Sequence, residues 1–236
     1  MSKGPVLALD TSDTPLTVAV AFPDGDIASV SKKGIKQEDY LFPIIDRLLS
    51  RQGFALRDVG RVFVLRGPGR FTGIRIGLTL ATVLSRLCGA ETVCASTLET
   101  LAFQTANDPA YARWLIGNKG GRILCVTHAF REEYFAQSFV SSDGNAHAED
   151  KPQWLSREGM EQYAASLSGP LYAAGWGACR APLQNCLDLN ADYARGRANF
   201  ISGKTMLELS ALLEPTFHPV EPLYLKPARF EQIQPK

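Results

Sequence analysis

The sequence predicts an α/β protein of two duplicated lobes, each running β-β-β-α-β-α. Three observations carry that expectation. Short β-branched runs alternate with helix-length apolar patterns from the first residues onward. A glycine-rich turn, Arg66-Gly-Pro-Gly-Arg-Phe-Thr-Gly-Ile-Arg-Ile-Gly77, joins a strand-like run to a long apolar segment. The hairpin that opens the chain also returns after residue 121, with the same Asp-Gly turn.

Val6-Leu-Ala-Leu-Asp10 reads as a buried strand and Leu16 to Phe22 as a second, valine-rich one. Pro23-Asp-Gly25 turns the chain into a third, Ile27 to Val30, which completes a hairpin. A helix from Glu38 to Arg51 follows, with Gly53 as its stop and Pro43 either near its first turn or kinking it. Arg61 to Leu65 is the fourth strand, Phe71 to Cys88 the second helix and Glu91 to Ala95 the fifth strand. Ser96-Thr-Leu-Glu99 is a capping box: hydroxyl and carboxylate each take one backbone N–H that a starting helix leaves open. In the second half, Arg122 to Thr127, Glu133 to Val140 and Asn145 to Glu149 repeat the three strands around Ser142-Asp-Gly144. Helical patterns at Ser156 to Leu167 and Phe200 to Leu213 flank a strand at Leu171 to Ala174. The lobes are expected to span 1–106 and 107–236, joined at Asn107-Asp-Pro109 or at 118–121, where turn formers cluster.

With 236 residues the chain is long enough to bury a sizeable core. Its net charge of +1 sets up no bulk field for nucleic acid or an anionic membrane, so contact with RNA needs a local patch or a partner. No arginine–aromatic cluster stands out along the chain, and weak direct RNA binding is expected. The five cysteines, Cys88, Cys94, Cys125, Cys179 and Cys186, form no CxxC pair, and no leader precedes the first strand. Reduced thiols packed in the core of a cytoplasmic protein are the expectation. No run of about eighteen apolar residues occurs, so no membrane span is expected. His128, His147 and His218 are scattered without HxxxH or HExxH spacing, which argues against a metal site.

The glycine turn has the grammar of a phosphate cradle, but no Lys-Ser or Lys-Thr follows its last glycine. Two readings stand. Gly67, Gly69 and Arg70, with Asp10, Thr11 and Ser12 after the first strand, hold an anion; or the glycines serve a tight strand-to-helix turn while Asp10 accepts local N–H bonds. A nucleotide cleft between duplicated lobes wants a second acid from the matching strand, and counting places Thr127 there, which carries no charge for a divalent ion. Trp176, between Gly175 and Gly177, either lines the cleft or packs under a turn. In the second helix Gly73, Gly77, Ala81 and Ser85 recur every four residues, and Ile74 and Leu78 flank that groove. The first helix has two apolar edges, Leu41, Ile44, Leu48 and Phe42, Ile45, Leu49. Two neighbouring helices with surplus apolar area suggest a protein–protein face.

Leu7-Ala-Leu-Asp-Thr-Ser12, the string Arg66 to Gly77, Ala95-Ser-Thr-Leu98 and the late Glu221-Pro-Leu-Tyr-Leu225 together resemble the TsaB (YeaZ) family. The resemblance is strong over residues 5 to 103 and thin from 105 to 215. It implies an actin-like ATPase (ribonuclease H-like) architecture and a non-catalytic role in making threonylcarbamoyladenosine (t6A) on tRNA. It further implies pairing with TsaD, the catalytic paralogue, and with the ATPase TsaE, tRNA being met only through the complex. The expected partner-binding residues are Leu41, Ile45, Leu49, Ile74, Arg75, Gly77, Leu78, Ala81 and Thr82. No cofactor is expected, ATP or ADP at the partner interface being the open exception. Relatives usually carry serine where this chain has Arg70 and often aspartate where it has Thr127. The alternatives are a divergent nucleotide-dependent phosphotransferase and a stand-alone homodimer through the same helices.

Overall fold

The computed structural model describes residues 4–177, 191–216 and 219–226. Cys179, Cys186 and His218 lie outside the described residues. Two sheets form the frame. The first has the order β3-β2-β1-β4-β5, from β1 (Val6–Asp10), β2 (Leu16–Ala21), β3 (Ile27–Lys32), β4 (Arg61–Leu65) and β5 (Glu91–Ala95). The second follows β8-β7-β6-β10-β11, from β6 (Arg122–His128), β7 (Glu133–Ser142), β8 (Asn145–Ala148), β10 (Leu171–Ala174) and β11 (Ala191–Tyr193). Its remaining strand, β9 (Gln153–Ser156), also pairs with β7. In each sheet the first strand runs antiparallel to the second and parallel to the fourth in order of pairing. The two sheets are the same motif used twice, as expected of two duplicated lobes.

Helices fill three layers. α1 (Gln37–Ser50) and α2 (Phe71–Cys88) cover the outer face of the first sheet, and α5 (Arg157–Ser166) covers that of the second. Between the sheets lie α3 (Thr97–Ala106) and α6 (Gly203–Leu212), with α4 (Pro109–Gly117) beside α3. These two inner helices are exchanged: α3 packs chiefly on β6 and its neighbours, and α6 on β1 and β2. Gly203 permits the close approach of α6, because a Cβ there would meet the Ala19 Cβ at 2.6 Å. The central core joins both lobes, with Phe63, Leu98 and Leu101 packed among Ile123, Phe135 and Met206. Each fully buried side chain of this kind contributes about 1.5–3 kcal/mol.

Most expected elements fall where the patterns put them. Ser96 caps α3 as read, its Oγ accepting from Glu99 N while Ser96 N donates to Glu99 Oε2. Pro43 sits inside α1, beyond its first turn. One supposed linker is a helix start: Asp108 accepts from Ala110 N and Pro109 takes the first position of α4, where a missing N–H costs nothing. By length and composition α2 would suffice to cross a bilayer, yet it is a core helix, with Gly73, Ile74, Gly77, Leu80, Ala81 and Leu84 buried against its own lobe.

Candidate functional site

At the end of β1 the chain turns sharply. Asp10 Oδ1 accepts from Ser12 N at 2.9 Å and from Ser12 Oγ at 2.7 Å. Burial pushes its carboxyl up to about 6, partly offset by those two Ser12 bonds. The glycine turn is wrapped round this corner. Arg70 N donates to Ser12 O at 2.6 Å, Thr97 N to Gly67 O, and Leu223 N to Arg66 O. A Cβ on Gly69 would stand 2.4 Å from Ser12 O, and one on Gly73 would stand 2.0 Å from Thr11 O. Gly67 has φ +103, and its Cβ would meet Leu223 O at 2.9 Å. The glycines therefore make room for the chain's own backbone. The carbonyls of Thr11 and Ser12 occupy the space beside Gly73 and Gly69. Asp10, Thr11, Ser12, Gly67 and Gly69 are brought together, while Arg70 stays exposed at the rim.

The opposite lobe offers no second carboxylate at the matching place. Thr127 shares the inward pleat of β6 with Cys125, as Asp10 shares that of β1 with Ala8. Its hydroxyl is buried without a hydrogen-bond partner. Among the described residues no group of three His, Cys, Asp or Glu side chains stands close enough to hold a metal.

The partner-facing residues expected from the sequence divide in two. Leu41, Ile45, Leu49, Ile74 and Ala81 are buried in the first lobe's own core, with Leu78 almost so. Gly77 faces inward as well, since a Cβ there would lie 2.5 Å from Thr11 Oγ1 and 3.1 Å from Val64 Cγ2. Gly73 and Gly77 thus admit the β1 corner and β4, while Ala81 and Ser85 line a pocket of about 240 Å³ with Thr82, Thr92 and Val220. Gly77→Leu would disturb the fold before any interface. Arg75 is exposed and Thr82 half-buried.

The outward stripe lies two residues on, at Phe71, Arg75, Thr79 and Val83, which a helix turns roughly 200° away from Gly73 and Gly77. With Phe42 of α1 these residues line an apolar groove between α1 and α2, about 530 Å³ in volume and floored by Leu41, Ile76 and Leu80. Phe42 is 53% exposed, Phe71 43% and Val83 41%. The late segment packs beside the groove: Tyr224 stacks on Phe71 at 4.7 Å, and Arg75 Nε donates to Tyr224 Oη at 3.1 Å. Phe71, Arg75, Thr79 and Val83 form a four-residue repeat of their own, and it is this outward side that lines the apolar groove.

Residues 36–132, which include α1, α2 and the glycine turn, match the family described as TsaD: tRNA N6-adenosine threonylcarbamoyltransferase. The tRNA threonylcarbamoyladenosine biosynthesis protein TsaB of Escherichia coli is 29% identical over 73% of this chain and 71% of its own length. The protein of the same name from Bacillus subtilis is 36% identical over 41% of this chain and 43% of its own. For this second relative the chain aligns with less than half the length. Among solved structures, YeaZ from Pseudomonas aeruginosa superposes with a TM-score of 0.66 at 22% identity, covering 89% of this chain and 91% of that one. An uncharacterised protein with similarity to peptidase YeaZ from Pseudomonas aeruginosa superposes at 0.72, also at 22% identity, covering 94% and 100%. The solved structures show the fold. The chain is similar to TsaB (YeaZ) proteins in sequence and in fold.

Proposed function

We propose that this chain is a non-catalytic scaffold subunit in the biosynthesis of threonylcarbamoyladenosine on tRNA, and that its α1–α2 groove binds and activates a TsaD-like transferase. The observation that carries the reading is the groove itself: Phe42, Phe71 and Val83 stand exposed together round an apolar floor. The match of residues 36–132 to the TsaD family supports a partner with related helices, so that two like helix pairs pack about an approximate two-fold axis. The filled β1 corner and Thr127 support a role without chemistry of its own. A TsaE-like ATPase would join this pair, and tRNA modification would be done by the partner. A second copy of the chain would compete for the same groove when the partner is scarce.

The test is co-purification with the TsaD-like protein of the same organism, followed by nucleoside analysis of tRNA after depletion. Phe42→Glu with Val83→Glu should stay folded, lose the partner and fail to restore the modified nucleoside. Steady ATP turnover by the pure chain, abolished by Asp10→Asn, would point instead to the phosphotransferase.

A further inference from the structure

Two segments distant in sequence meet at the mouth between the lobes. The end of β3 and the following loop, residues 28–37, carry Lys32, Lys33 and Lys36 without a carboxylate. The stretch 193–204 carries Arg195, Arg197 and Lys204, again without one. Lys33 joins them: its Nζ lies 3.7 Å from the centroid of the Phe200 ring and 5.0 Å from that of Trp176. The two rings are themselves 4.9 Å apart and tilted by 38°, and both are half-buried. Trp176 follows β10 in a glycine-flanked turn anchored through Asn199, whose Oδ1 accepts from Gly175 N at 2.9 Å. Lys204 is partly answered locally, by Glu208 at 3.5 Å. Lys32, Lys33, Lys36 and Arg197 remain exposed around the aromatic pair. The chain's net charge is only +1, so this concentration is local.

We infer that this patch binds single-stranded RNA, a base stacking on Phe200 and Trp176 while Lys32, Lys33, Lys36 and Arg197 track the phosphates. The inference deepens the scaffold reading and rests on it for the identity of the RNA. Rings fixed by the fold beside a row of cations are the two components that sequence-tolerant single-strand binding combines. Lys33 now covers the platform, but an exposed cation–π contact is weaker than base stacking on an aromatic ring. An arriving base displaces the ammonium, which moves to the adjacent phosphate. Duplex RNA is a poorer ligand because its bases are already stacked. Composition hid the patch, since its two halves lie 140 or more positions apart and only the fold brings them together.

The experiment uses the full chain alone, so that its failure leaves the partner groove untouched. Fluorescence anisotropy of a labelled, unstructured oligoribonucleotide is followed across a sodium chloride series. The wild-type chain should bind at low salt. Lys33→Glu with Lys36→Glu should weaken binding by tenfold or more and lower the salt slope by about 1.4, at 0.7 per lost phosphate contact. Phe200→Leu should weaken it by about tenfold with the slope unchanged. If Phe200→Leu lowers the melting temperature, Trp176→Leu replaces it. Absence of binding, equal affinity of the charge-reversed variant, or competition by AMP as effective as that of the oligonucleotide would each overturn the assignment.

Discussion

The two sheets share one strand order, yet their outer faces are finished differently. Over the second sheet α5 buries Met160, Tyr163 and Ala164 and turns Arg157, Glu158 and Gln162 to solvent. Over the first sheet α1 and α2 bury their glycine and leucine sides and still leave Phe42, Phe71 and Val83 outside. One duplicated frame has thus acquired a closed lobe and an open one. Apolar area left over after the core is filled marks where another molecule belongs, whereas apolar periodicity alone marks only the core.

That contrast can be broken at several points. The largest effect should come from Phe42→Glu with Val83→Glu, which places carboxylates in the groove. Affinity for the TsaD-like partner should fall more than a hundredfold, about 3 kcal/mol, with the melting temperature unchanged, as titration calorimetry and thermal unfolding would show. Next is the glycine side. Gly73→Ala drives a Cβ to 2.0 Å from Thr11 O and should destabilise the chain by about 3 kcal/mol. In α5 the nearest atom to a Cβ on Gly159 is 3.5 Å away, so Gly159→Ala should stabilise by about 0.5–1 kcal/mol. Denaturant unfolding of the two variants compares the lobes directly.

Asp10, absent from the matching place in the second lobe, sharpens the contrast through pH. Its folded-state carboxyl is raised from 3.8 to about 6, so the native state binds more protons than the unfolded state between those values. Stability is therefore fully present below about pH 4 and lost as pH rises to about 6, by up to about 3 kcal/mol. Asp10→Asn keeps an acceptor at Oδ1 for both Ser12 bonds while removing the charge. Its stability advantage over the wild type should grow through that window and then level off; an advantage that does not change with pH would contradict the burial account. The smallest effect is expected from Gln162→Glu on α5, within about 0.5 kcal/mol for both stability and partner affinity.

Much of the fold was legible because local chemistry and tertiary role agree. Val6–Asp10, Arg61–Leu65, Phe71–Cys88 and Glu91–Ala95 fall on the predicted bounds, and the Ser96–Glu99 capping box is made as read. At Asp108-Pro109 the turn formers also open a helix, Asp108 capping α4 and Pro109 taking its first position. β9 and β11 are too short, at 4 and 3 residues, to show a period. The site was less legible. Periodicity showed that α2 has a small-residue stripe, but which side faces the sheet is decided by Val64 on the preceding strand and by Thr11, far from α2 in sequence. The aromatic–lysine patch likewise exists only after folding.

Hydrogen–deuterium exchange of the chain, with and without its TsaD-like partner, tests the open-lobe account most directly. The account predicts slower exchange on binding across Gln37–Ser50 and Phe71–Cys88, with Arg157–Ser166 unchanged. Protection centred on Arg157–Ser166, with α1 and α2 exchanging as in the free chain, would show that the exposed groove is not where the partner binds.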